Sequence, residues 1–288
     1  MRKDYAFGVL LVLCGGACLS IAGILLRNLE SAGGWQVLFY RSCAFFVTLF
    51  AILAARYRGK VFAAYRAVGW HGVLVGTVLG LGSIAYVFAL LFTTVANAVF
   101  IIGASPLVAA LVGWLWLRER LYASSVITMF VAFGGIGLML ADGFVAGRWL
   151  GNAMALLVVA SFVAFLLLLR RQRGVDMLPA TSVAGIVAAL VAAVMAGSLS
   201  ISGHDLTIAL LLGSVQFCGG FMLITMATRY VPAAEVALFS LSEAVLAPIW
   251  VWLGVDEVPS ALTLSGAAVV FAAVVGYCVV AIRRERTV

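Results

Sequence analysis

The sequence predicts an all-α integral membrane protein of ten transmembrane helices, arranged as two inverted five-helix repeats with both termini cytoplasmic. Three observations carry this expectation. Of the 288 residues, 65% are hydrophobic and only 10% charged, where a soluble domain is about half apolar and about a quarter charged. The apolar residues gather into ten runs of membrane length. The basic residues fall almost wholly into alternate connections between those runs.

The runs cover approximately residues 5–26, 34–55, 69–90, 93–117, 121–141, 149–169, 178–199, 206–228, 233–254 and 260–282. Each approaches the ~20 residues that cross the hydrocarbon core as a helix. Uniformly apolar segments of this length exclude barrel strands, which alternate over about ten residues. The first run follows Arg2-Lys3, is long for a signal-peptide core and lacks a small-residue cleavage site, so it reads as a retained helix. Trp35, Trp70 and Trp149 lie near run ends and suit the aromatic belt at the membrane interface. The third run carries Gly72, Gly76 and Gly80 at four-residue spacing, a small-residue face for close helix packing or for a sliding seam. The fourth and ninth runs contain Pro106 and Pro248, each of which frees a backbone carbonyl and bends its helix. These prolines, with Gly76 and Gly80, are the candidates for gating and hinge positions.

Composition also bounds the chemistry. The net charge of +7 is spread in short clusters between apolar runs rather than over one soluble face, which argues against a nucleic-acid partner. Cys14, Cys18, Cys43, Cys218 and Cys278 all lie in apolar runs and read as small buried hydrophobes. No His or carboxylate joins Cys14 and Cys18 to make a metal set, and His71 and His204 are isolated. Neither a phosphate-binding Gly-rich loop with its lysine nor H-E-x-x-H occurs. No metal, cofactor or catalytic residue is expected, and the chain reads as a transporter rather than an enzyme. A lipid-modifying membrane enzyme would need a cluster of His, Asp or Ser near an interface.

Orientation follows from lysine and arginine. With the N-terminus inside, fifteen of the eighteen fall in inner connections; Arg27 and Arg148 lie outside, and Arg41 is within a helix. Both termini inside requires an even number of crossings. A shift of 138 residues lays Trp114-Leu115-Trp116-Leu117-Arg118-Glu119 over Trp252-Leu253-Gly254-Val255-Asp256-Glu257, and continues with Ala123 on Ala261 and Phe133 on Phe271. A shift of 143 places Gly8 on Gly151 and Arg27 on Arg170. Repeats over 1–143 and 144–288, each of five helices, enter the membrane from opposite sides, the architecture that builds an alternating-access site at the midplane.

These two copies, with Pro106 and the helix opening at Trp35 through Arg41, resemble the EamA-like ten-helix branch of the drug/metabolite transporter superfamily. The second copy departs from the first: Asp256-Glu257-Val258 stands for Arg118-Glu119-Arg120, and Ala244 for Pro106. The resemblance implies a secondary transporter or facilitator in the bacterial inner membrane, most similar to exporters of amino acids, including aromatic ones. Other branches of the superfamily move nucleobases, cofactors or drugs. The implied partners are the lipid bilayer, a small-molecule substrate and, in a coupled carrier, protons.

Ionisable groups at bilayer depth cost ~2.5–3.5 kcal/mol on insertion scales, so each calls for a reason. Arg41 either holds a substrate carboxylate or phosphate with its planar fork, or pairs with carbonyls and snorkels outward. Glu243, mid-helix, either meets a substrate amine or a proton, or pairs with Ser240, Ser242 or Arg41. Glu235, one turn past Pro232, reads as a charge complementing its helix N-terminus. Tyr40, Tyr86, Asn97, Gln216 and Trp250 complete a polar and aromatic lining of the kind a small-molecule cavity needs.

Overall fold

The computed structural model describes residues 2–93, 95–118, 122–139, 149–255 and 260–287. Among them every regular element is helical. In chain order these are α1 (Arg2–Ser20), α2 (Ala22–Arg27), α3 (Gly34–Tyr57), α4 (Val61–Phe92), α5 (Val95–Gly103), α6 (Ser105–Leu117), α7 (Ala123–Met139), α8 (Trp149–Arg171), α9 (Leu178–Met195), α10 (Gly203–Leu211), α11 (Cys218–Ala227), α12 (Ala233–Ser240), α13 (Ser242–Val255) and α14 (Ala261–Thr287). A π-helical turn, Leu212–Phe217, joins α10 to α11. Among the described residues nine stretches are long and apolar enough to cross a membrane, and α7 is a shorter apolar helix of the same character. The chain is therefore a multi-pass membrane protein in contact with lipid.

The spans follow the apolar runs, but several are broken. The helix predicted over 69–90 begins at Val61, because the basic stretch to Arg66 is already helical. The two parts of α4 meet at Gly69, whose φ of 52° needs a residue without a Cβ. In the fourth span the interruption is at Ala104, between α5 and α6, with Pro106 in the first turn of α6. The ring of Pro106 leaves the Ile102 carbonyl without its helical donor, and the Ser105 hydroxyl donates to it instead. In the ninth span α13 runs on through Pro248, whose side chain lies outside the described part. The break expected there occurs at Leu241 instead, between α12 and α13.

Small residues set the packing. Apolar side chains gain little by leaving lipid for each other, so close backbone approach is what brings membrane helices together. The α4 glycine stripe lies on α9: a Cβ on Gly76 would stand 2.4 Å from Val183 Cβ and 2.7 Å from the Ala180 carbonyl oxygen, and one on Gly80 3.0 Å from Val187 Cβ. Gly76 and Gly80 are thus packing positions in this conformation. Further extensive contacts join α3 to α9, α4 to α8, α1 to α11, α6 to α12 and α7 to α14. Trp70 and Trp149 are exposed, as expected of interfacial residues, whereas Trp35 packs edge-on against Phe88. Of the cysteines only Cys218 is buried, and Cys14 is exposed; in an apolar span an exposed thiol faces lipid at little cost, so burial was the wrong expectation there.

Polar clamps close both ends. At one end the Asp205 carboxylate accepts from the backbone N–H of Glu30, Ser31 and Ala32 and from the Ser31 hydroxyl, at 2.9–3.1 Å. At the other end Asp176 pairs with Arg56 at 3.4 Å and Arg229 at 3.2 Å, and accepts from the Tyr57 hydroxyl at 2.6 Å. Asp205→Asn, which halves the acceptor capacity and removes the charge, is expected to speed hydrogen exchange of the Glu30, Ser31 and Ala32 amides while exchange in α9 is unchanged.

Candidate functional site

The polar groups inside the spans converge from α1, α3, α4, the π-helical turn and α13. Arg41, in the second turn of α3, is only 7% exposed. Its guanidinium donates to the Ser83 hydroxyl of α4 and stacks over the Phe217 ring, 4.7 Å from its centroid. Both contacts hold the fork in one orientation and leave further N–H donors for a ligand. The approach of α10–α11 to α3 depends on Gly213, where a Cβ would lie 2.2 Å from the Arg41 carbonyl oxygen.

The π-helical turn explains why two consecutive residues serve this region. In a regular helix adjacent side chains diverge by about 100°, and one wider turn redistributes them. Gln216 and Phe217 are both buried here. Gln216 Nε2 makes a long contact, 3.4 Å, to the Leu19 carbonyl, while its Oε1 is buried with no donor among the described residues.

Glu243 enters from the first turn of α13 and is partly buried. It makes no hydrogen bond or ion pair among the described residues, so neither Ser240, Ser242 nor Arg41 is its partner. The neighbouring Ser242 Oγ is likewise buried without a partner, packed against Gly16 of α1, where a Cβ would stand 2.3 Å away. Tyr86, one turn beyond Ser83 on the same face of α4, lies within electrostatic reach of both Arg41 and Glu243. Trp250, two turns beyond Glu243, donates its indole N–H to Ser20 Oγ at 2.8 Å. The result is a guanidinium and a carboxyl group, neither ion-paired among the described residues and both within electrostatic reach of one tyrosine, with two unsatisfied polar oxygens beside the Gly16–Ser20 turn of α1.

Of the sequence-derived candidates, Arg41, Tyr86, Gln216, Glu243 and Trp250 fall in this region. Tyr40 does not: its hydroxyl donates to the Leu199 carbonyl at 2.8 Å, tying α3 to the connection before α10. Asn97 lies in α5, with its side chain outside the described part. Phe217 was not singled out by sequence reasoning, and Ser242 was named there only as a partner for Glu243. The only signal near the first was the polar Ser214 and Gln216 inside an otherwise apolar run.

Glu235 differs from its expected role as a simple helix-end charge. It is 4% exposed and accepts from the hydroxyls of Tyr5 and Tyr277, the latter at 2.7 Å.

Comparison with known proteins gives this arrangement a context. Residues 6–141 match the EamA-like transporter family. The match points to a membrane transporter of small molecules. One solved crystal structure superposes on 93% of this chain and 95% of its own, with a TM-score of 0.79 at 17% identity. At that identity the likeness speaks for the fold alone. Among curated proteins none matches the chain.

Proposed function

We propose that this chain is a secondary transporter or facilitator that exports small metabolites, amino acids including aromatic ones, from the bacterial cytoplasm across the inner membrane. The observation that carries the reading is the pair Arg41 and Glu243: two ionisable groups inside the spans, neither ion-paired among the described residues, both within electrostatic reach of Tyr86. Leaving both without a counter-charge is costly in a membrane. A zwitterion relieves both at once, its carboxylate on the Arg41 fork and its ammonium on Glu243. Tyr86, Phe217 and Trp250 supply aromatic surface beside them, and Gln216 Oε1 and Ser242 Oγ offer further acceptors.

The proposed mechanism is alternating access between two inverted five-span repeats, 1–143 and 144–288, with ten spans and both termini in the cytoplasm. The packing supports it. If the first span corresponds to the sixth, the second to the seventh and so on, exchanging them maps the most extensive contacts onto one another, whereas α1–α14 and α8–α12 have no counterpart of similar extent. Thus α4–α8 exchanges with α11–α1, and α6–α8 with α13–α1, while α3–α9, α6–α12 and α7–α14 map onto themselves. The breaks at Ala104 and Leu241 coincide within one residue under the shift of 138, and give the fourth and ninth spans equivalent joints. The motif residues Glu119, Arg120 and 256–259 lie outside the described residues.

The test is flux of radiolabelled amino acids into liposomes holding purified protein, with and without a pH gradient. Saturable flux of a neutral or aromatic amino acid supports the reading, and a response to the gradient identifies proton coupling. Absence of flux for every amino acid by folded protein rejects amino acids as substrates and turns the search to nucleobases, cofactors or drugs.

A further inference from the structure

A second cluster of buried polar groups lies apart from the Arg41–Glu243 region. Glu235, on α12, accepts from the Tyr5 hydroxyl of α1 and from the Tyr277 hydroxyl of α14 at 2.7 Å; Tyr277 in turn shares a hydrogen bond with Ser125 of α7. All four side chains are buried. They come from the ends of four spans that the lysine and arginine distribution assigns to the inner face. Two of those spans, α1 and α7, precede residue 143 and two follow it, so the cluster joins the two halves of the chain.

The packing around the cluster is closed. Every residue of α12 is buried, whereas α13, beyond the Leu241 joint, is only partly so. Just below, α1 meets the connection before α12 at Gly8, where a Cβ would lie 2.6 Å from Tyr230 Cβ and 2.7 Å from Val231 Cγ2. For a ligand at Glu243 to reach the inner face along the ninth span, α12 has to leave α1 and α14. That movement cannot occur without parting Glu235 from both tyrosines. Each buried hydrogen bond broken on the way carries a cost. The bonds therefore weigh the equilibrium toward the packed arrangement of α1, α12 and α14 seen here.

We infer that Glu235, Tyr5 and Tyr277 form the latch of the inner gate, a positioning device that sets how often the site opens inward. The inference rests on the alternating-access reading. Its test uses full-length protein in inside-out vesicles, with the five native cysteines replaced by alanine and Ala237→Cys added on α12, where the native residue is 1% exposed. Labelling by a membrane-impermeant maleimide then reports inward opening. Tyr5→Phe and Tyr277→Phe keep their rings in place and remove one hydroxyl each. Each is expected to speed labelling about tenfold, the equivalent of 1.4 kcal/mol in the gating equilibrium.

Unchanged labelling in both variants, in protein with an unaltered melting temperature, overturns the latch. Saturating phenylalanine separates this failure from failure of the functional reading. If phenylalanine speeds labelling of the parent and the variants do not, the latch is wrong and alternating access stands. If neither speeds labelling while flux persists, both are wrong. If the variants label faster but no flux of any amino acid is found, the latch is upheld and the assigned substrate is wrong.

Discussion

Glu243→Gln is expected to lower amino-acid flux by roughly 30-fold or more while leaving folded yield and melting temperature close to those of the parent. The first half follows from the proposed role: removing one partner of a desolvated charge pair costs about 2 kcal/mol or more, and 1.4 kcal/mol is a factor of ten. The second half follows from the structure. Glu243 makes no hydrogen bond or ion pair among the described residues, so the substitution breaks no internal contact there. An amide is also easier to hold in a bilayer than a carboxylate. Wild-type flux by a folded Glu243→Gln protein sinks the assignment. Arg41→Lys is the companion variant: it keeps the charge but loses the planar fork and the stacking on Phe217. It should raise the half-saturating substrate concentration even where the protein folds normally.

Gly76→Ala and Gly213→Ala are expected to be strongly destabilising, each by about 3 kcal/mol, seen as loss of monodisperse protein and a lowered melting temperature in detergent. At Gly76 the new methyl meets Val183 Cβ at 2.4 Å and a backbone oxygen at 2.7 Å; at Gly213 it meets the Arg41 carbonyl oxygen at 2.2 Å and Ala44 Cβ at 2.6 Å. Backbone and branched β-carbons cannot swing aside, so the helices have to separate, and overpacking of this kind costs 1–3 kcal/mol or more. Gly134→Ala is the control. Nothing lies within 4 Å of its Cβ position, and it should be neutral or stabilising by up to about 1 kcal/mol through helix propensity. Equal behaviour of Gly76→Ala and Gly134→Ala would show that the α4–α9 seam is not close-packed.

How much of this was legible in the sequence differs by feature, for physical reasons. Helix-forming apolar runs needed only local composition, because insertion into a bilayer is decided segment by segment. The four-residue spacing of Gly72, Gly76 and Gly80 marked a packing face, although only the structure shows that α9 occupies it. The helix joints were harder to read. Pro106 lies two residues past the true break at Ala104, since a proline disturbs the turn before it, and the break at Leu241 has neither proline nor glycine to announce it. Glu235 looked like a helix-end charge because its tyrosines stand 230 and 42 residues away along the chain.

By itself the sequence determined that this chain crosses a membrane many times, and its basic connections supply the orientation proposed for it. Hydropathy and the placement of lysine and arginine act locally and need no partner. Which ionisable groups meet was decided only by the tertiary structure. Arg41 owes its setting to Ser83 on another helix and to Phe217, brought inward by a π-helical turn whose extra residue leaves no mark on the hydrophobic pattern. The same packing seats Ser242 against a glycine on α1 and leaves Glu243 without a hydrogen bond or ion pair among the described residues. Contacts of this kind depend on how whole helices approach one another, and that is set by close packing of small residues from opposite ends of the chain.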